Sequence, residues 1–177
     1  MTTVVVLDMA HCGTTMLAGV LERLGVPMTQ GGDRGFLEDA ALAESLRNRE
    51  AFEALVQERS GQTWGFKHNG VWRFAKWFGC LDNPVYLAIY KDPVSVTRRY
   101  HGDVEIGALY NILLKMDRSM AGIAASNLSV HWLSYLEAVR GPHLFAERIA
   151  EICGLSATEK QIHRAASHIT LRGCLDG

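Results

Sequence analysis

Hydrophobic positions along this chain change period in a regular way. Thr3–Leu7 (TVVVL) is short, continuous and β-branched, which predicts a strand buried on both faces. The period then becomes helical. Met16, Leu17, Val20, Leu21 and Leu24 share one face of a helix over Thr14–Leu24, and Gly25 suits its C-terminal cap. Gln30–Gly35 reads as a loop, and a long helix is expected from about Asp39 to Gln57. Thr63–Lys67 is a second short strand, followed by an aromatic helical stretch, Val71–Phe78. Val85–Tyr90 is the clearest strand after the first. Pro93 opens the next helix, to about Tyr100, at a position where its missing N–H costs nothing. Glu105–Ala124 (helix), Leu128–Trp132 (strand), Pro142–Cys153 (helix) and a helical tail from Ala157 complete the pattern. Tyr110 and Trp132 are assigned to the core. Strands alternating with helices imply a three-layer α/β sandwich with a mainly parallel sheet. There is no linker or repeat, so residues 1–177 are expected to form a single domain.

Composition narrows the function classes. An apolar fraction of 48%, a charged fraction of 21% and a net charge of -1 are those of an ordinary globular protein, with no global case for nucleic acid or an anionic membrane. No apolar run reaches the roughly 18 residues that span a bilayer, and no signal peptide is visible. Cys12, Cys80, Cys153 and Cys174 form no disulfide framework, so a reduced, cytoplasmic setting is expected. His163 and His168 do not make a metal ligand set, and no metal is expected.

The chemistry concentrates where the first strand meets the first helix. A strand–loop–helix turn offers backbone N–H groups and a helix dipole to an anion. Gly13 lets the backbone approach closely, Thr14 and Thr15 add hydroxyls, and His11 adds a titratable donor. Four readings are open. A nucleotide-hydrolysing or kinase P-loop needs G-x-x-x-x-G-K-[ST], but Asp8 replaces the first Gly and Thr14 replaces the Lys. A cysteine phosphatase would use Cys12 as a thiolate whose pKa is lowered at the helix N-terminus, but it would also need an Arg where Ala18 stands. The loop can also be a tight turn around a buried Cys with no ligand.

The fourth reading is a resemblance. Asp8–Leu17 (DMAHCGTTML) resembles the 5′-phosphosulfate loop of sulfotransferases, G-x-P-[RK]-S-G-T-[ST]-x-L. Gly13, Thr14, Thr15 and Leu17 match it, His11 takes the basic position and Cys12 the Ser position. Lys91-Asp92-Pro93 resembles the family's Arg-[DN]-Pro signature, with Arg99 where a Ser is usual. Gly35-Phe36-Leu37-Glu38 resembles G-[YF]-x-E, and TWGFKH resembles W-G-x-K-D-P-R, with His68 replacing the Asp. Leu128–Leu155 is similar to the family's late strand, turn and helix.

This resemblance implies a P-loop nucleoside triphosphate hydrolase-like fold and a donor, 3′-phosphoadenosine 5′-phosphosulfate. His11, Cys12 and Gly13–Thr15 would hold its 5′ end, and Lys91 and Arg99 its 3′-phosphate. Glu38 or His68 would take the proton of a small hydroxylated acceptor, while Lys67 and His11 offset developing charge. Trp64, Trp72, Phe74 and Trp77 cluster near Lys67, where they could line an acceptor pocket or stack on adenine; most are expected in the core or at a subunit interface. A homodimer through an apolar helix is a further expectation. A non-catalytic nucleotide- or anion-binding protein of the same fold is the alternative.

Overall fold

Four strands pair through their backbones, and the two central ones carry apolar side chains on both faces. In the computed structural model, which describes residues 1–9, 11–28 and 39–175 (side chains to 169), they form one parallel sheet in the order β2-β1-β3-β4. The strands are β1 (Thr3–Leu7), β2 (Trp64–His68), β3 (Pro84–Tyr90) and β4 (Val130–Ser134). The predicted loop Gln30–Gly35 and the segment carrying Glu38 lie outside the described residues.

β1 sits between β2 and β3, with Leu7 in register with both His68 and Ala88. Its alternate side chains feed two cores. Val4 and Val6 pack with Leu17 and Leu21 of α1 (Thr14–Leu24), Ile149 of α7 (Pro142–Ile152) and Ile169 of α8 (Glu159–Leu175). Val5 and Leu7 pack on the other face with Phe52 of α3 (Arg49–Glu58), Phe78 of a 3₁₀ helix (Val71–Cys80) and Ile112 and Ile123 of α5 (Ile106–Ala125). The result is helix–sheet–helix, the predicted three layers. Among the described residues no helix is long and apolar enough to cross a membrane.

Three expectations change. The long helix over 39–57 is two helices, α2 (Ala40–Ser45) and α3. Asn48 leaves helical geometry, and its side chain accepts from the Ala51 N–H at 2.8 Å, capping α3. A short polar side chain that can bond its own backbone favours such a break. The last strand runs two residues later than expected, because its register with β3 pairs Tyr90 with Ser134. Ser134 then accepts from the Glu137 N–H and starts α6 (Tyr135–Arg140), a helix absent from the sequence reading. Third, Tyr110 and Trp132 are not core: they are 60% and 44% exposed. The aromatic group around Lys67 does pack inward, with Trp64 buried and Trp72, Phe74 and Trp77 half-buried against the same core.

Candidate functional site

In an open parallel sheet, ligands bind beyond the carboxyl ends of the strands. Here that edge gathers the loop after β1, Lys67 and His68 at the end of β2, Lys91 just after β3, and Tyr135 just after β4. Glu38 lies outside the described residues.

The loop is built from local constraints. His11 and Gly13 both have left-handed backbones, with φ of 63° and 99°. The Cys12 N–H donates to the Met9 carbonyl at 3.0 Å, closing the turn. Gly13 is the N-cap of α1 and provides no side-chain cap. The first amides of a helix have no partner within it, so α1 presents its positive end at this loop. The Thr14 hydroxyl lies 3.5 Å from Asp8 Oδ1. Thr15 is half-buried beside it.

Tyr135 covers the loop from the β4 side. A β-carbon placed on Gly13 would come within 2.6 Å of Tyr135 Cδ2, so glycine is required twice, for its φ and for this ring. The same ring holds Lys91, whose Nζ lies 4.4 Å from the ring centroid. Lys91 is buried, and its carbonyl faces the Cys12 thiol at 4.0 Å. Lys91 thus reaches the loop from beneath. On the other side Arg99 is exposed on α4 (Pro93–His101), next to Tyr100, whose ring lies 4.2 Å from that of His11.

Electrostatics separate these groups. Burial lowers the His11 pKa, with Lys115 of α5 and then Arg99 adding to the effect and Asp8 opposing it. His11 is therefore a neutral imidazole near pH 7 in the free protein. Burial pushes the Cys12 thiol up to about 11. This corrects the phosphatase expectation: the helix N-terminus does not produce a thiolate, because Cys12 is fully buried among apolar neighbours. Lys67 is buried as well, and His68 is half-buried with an Nδ1 that makes no hydrogen bond among the described residues.

The sequence reading did not include Lys115 and Tyr135. Lys115 lies on a helix read only for its apolar periodicity, and Tyr135 reads as one more apolar residue; neither carries a local signal of the loop it approaches. Among the described residues no cluster of His, Cys, Asp or Glu forms a metal site. A surface cavity of about 550 Å³, lined in part by Arg23, Gln161 and Arg164, lies at the far end of α1 and is separate from this loop.

No family profile and no curated protein matches the sequence. Structure comparison does find similar folds. The chain is similar to a sulfotransferase from Alicyclobacillus acidocaldarius (TM-score 0.57, 12% identity, 89% of this chain and 83% of that one). It is similar to a sulfotransferase from Mycobacterium avium (0.56, 11%, 93% and 67%). It is also similar to a mouse sulfotransferase solved with PAP (0.54, 14%, 98% and 65%), and so spans 65% of that enzyme's length. At these identities the likeness is one of fold. The chain has the fold of the sulfotransferases, which is P-loop nucleoside triphosphate hydrolase-like, as the residue resemblance implied.

Proposed function

We propose that this protein is a small sulfotransferase that binds 3′-phosphoadenosine 5′-phosphosulfate at the loop between β1 and α1 and serves a small hydroxylated acceptor. One observation carries the proposal. In a fold shared with sulfotransferases, the loop around Gly13 joins an uncapped helix N-terminus, two hydroxyls and His11, with Lys91 held under the Tyr135 ring that covers Gly13 and with Lys115 and Arg99 close enough to His11 to act on its charge. That donor set fits a ligand with an anion at each end and no metal. When bound, the donor supplies an activated sulfuryl group.

The chain's own residues divide the remaining work. Gly13, Thr14 and Thr15 bind the 5′ end through backbone and hydroxyl donors, with Cys12 a buried spacer beneath them. Lys91 and Arg99 bind the 3′-phosphate. Lys67 and His11 offset negative charge at the reacting end. Glu38 on a carboxylate oxygen, or His68 on an imidazole nitrogen, receives the acceptor's hydroxyl proton.

A second reading, binding of a nucleotide or other anion without turnover, is favoured by Asp8, whose carboxylate lies 3.5 Å from the Thr14 hydroxyl, where it would oppose the further negative charge that builds on the leaving phosphate during transfer. Calorimetric titration with PAP against ADP tests both readings. PAP preferred at least tenfold, with the preference lost in Lys91→Ala or Arg99→Ala, supports the site; equal binding of both nucleotides, or none, sinks it. If PAP binds, sulfation of a panel of phenols and alcohols separates the readings. Turnover that Glu38→Gln or His68→Gln abolishes without changing PAP affinity makes the protein an enzyme.

A further inference from the structure

Asp8 puts a carboxylate where the loop offers donors to an anion. It is the first residue after β1 and is half-buried. The hydroxyl of Thr14, the buried first residue of α1, donates toward its Oδ1 at 3.5 Å. Burial dominates the pKa values of His11 and Cys12, and Asp8 is among the charges that act on both. Its field therefore covers the turn from His11 to Thr14. The pattern that this loop resembles has a glycine at that position, so the carboxylate is a departure belonging to this chain.

A hydroxyl has one proton to give. The Thr14 proton goes to Asp8 or to a bound anion, not to both. With an anion on Thr14, two negatively charged groups flank one hydroxyl, and like charges in a partly buried site repel. A second proton between them removes the conflict. Asp8 ordinarily takes a proton only near about pH 3.9, so the ligand has to bring it. A phosphate monoester can: its second pKa is about 6, and the monoanion keeps one P–O–H beside its charged oxygens. A phosphosulfate cannot. Its phosphoryl group is bonded through two bridging oxygens, its sulfuryl group is a strong acid, and neither holds a proton near neutral pH. A site that hydrogen-bonds a ligand hydroxyl discriminates strongly against the analogue that lacks it.

Resting on the reading of this loop as the seat of a nucleotide's 5′ end, we propose that Asp8 makes the loop selective for a terminal phosphate monoester, whose proton it accepts, over a phosphosulfate. The desulfated nucleotide is then the tighter ligand, and a protein that transfers a sulfuryl group holds its nucleotide product more firmly than its donor.

Calorimetric titration with PAP and with 3′-phosphoadenosine 5′-phosphosulfate, in the absence of an acceptor and at about pH 6, tests this. His11, Lys67, Lys91, Arg99 and Lys115 favour the more highly charged phosphosulfate, so a preference for PAP isolates Asp8. Wild type should prefer PAP about tenfold or more. Asp8→Asn removes the charge and can turn an amide N–H to an unprotonated oxygen; Asp8→Gly removes the side chain. Either should bring the two affinities within about threefold, chiefly by tightening the phosphosulfate, with unchanged far-UV circular dichroism. A phosphosulfate bound by wild type as tightly as PAP, or a preference that both variants keep, overturns the proposal and leaves the nucleotide site standing. Binding of neither nucleotide overturns the site and the proposal together.

Discussion

Removing one partner of the buried Arg59–Asp39 pair would test how the fold supports its site. Arg59 Nη1 lies 2.7 Å from Asp39 Oδ2, and both side chains are more than nine-tenths buried. Asp39 Oδ1 also accepts from the Leu42 N–H at 3.0 Å, capping α2, and the Arg59 guanidinium lies 4.8 Å over the Trp64 ring. Arg59→Met leaves the carboxylate buried without its cation, a loss of about 3–5 kcal/mol in comparable cases. Unfolding entropy near 2.1 cal/mol/K per residue makes about 0.4 kcal/mol/K for 177 residues, so Tm should fall by about 10 °C. The double variant Asp39→Asn/Arg59→Met keeps the cap and removes the stranded charge. It should recover more than half of the loss, with about 1 kcal/mol still missing for the contact with Trp64. Differential scanning calorimetry measures both. PAP affinity, titrated well below either Tm, should stay within about threefold, since the pair touches no group of the loop. A fall in Tm of less than about 3 °C, or a double variant no more stable than the single, would refute this account of the pair.

Three further outcomes follow from the loop. Gly13→Ala forces an alanine into φ 99° and its methyl into Tyr135. The backbone strain alone is about 1–2 kcal/mol, so Tm should drop by about 3–5 °C. Displacing the ring that holds Lys91 should also weaken PAP at least tenfold; unaltered affinity by calorimetry would show that the ring does not order the site. His11 has a lowered pKa in the folded protein. The unfolded chain therefore takes that proton first, and His11 costs stability as pH falls below about 6.5 and through the lowered value. A bound anion stabilises the imidazolium, so wild type should gain PAP affinity over His11→Gln between about pH 7.5 and 5.5, and pH-independent ratios would exclude His11 from the site. Cys12, with its thiol near 11, should resist iodoacetamide in the folded protein at about pH 8 and react on unfolding; rapid labelling, read by peptide mass spectrometry, would revive it as a nucleophile.

What could be read from the residues, and what could not, divides along contact range. TVVVL and the apolar face of α1 are local patterns, and both elements appear with the predicted bounds. Gly13 was legible for the same reason: Gly13-Thr14-Thr15 follows the first strand at the start of a helical period, where a glycine lets the backbone approach a ligand closely. The break at Asn48 is local too, but a cap inside an apolar-periodic stretch is easily overridden by the period around it. Tyr135 over Gly13 joins positions 122 residues apart in the chain, and no periodicity encodes it. Lys115 acts on His11 from α5, a helix packed against α4 and remote in sequence from the loop.

The misassignment of Tyr110 and Trp132 comes from a different limit. Apolar character identifies a side chain that gains by leaving water, not the surface that removes it. In α5 the gain has two directions, and the domain's own core satisfies only one of them. Both stripes follow a helical spacing, so only the placement of β4, the 3₁₀ helix and α4 decides which is internal. The outward stripe then has the composition of a core and the exposure of a surface. Such a face is kept in water at a cost of roughly 25 cal/mol for each Å² left uncovered, so apolar character alone could not tell the inward stripe of α5 from the outward one.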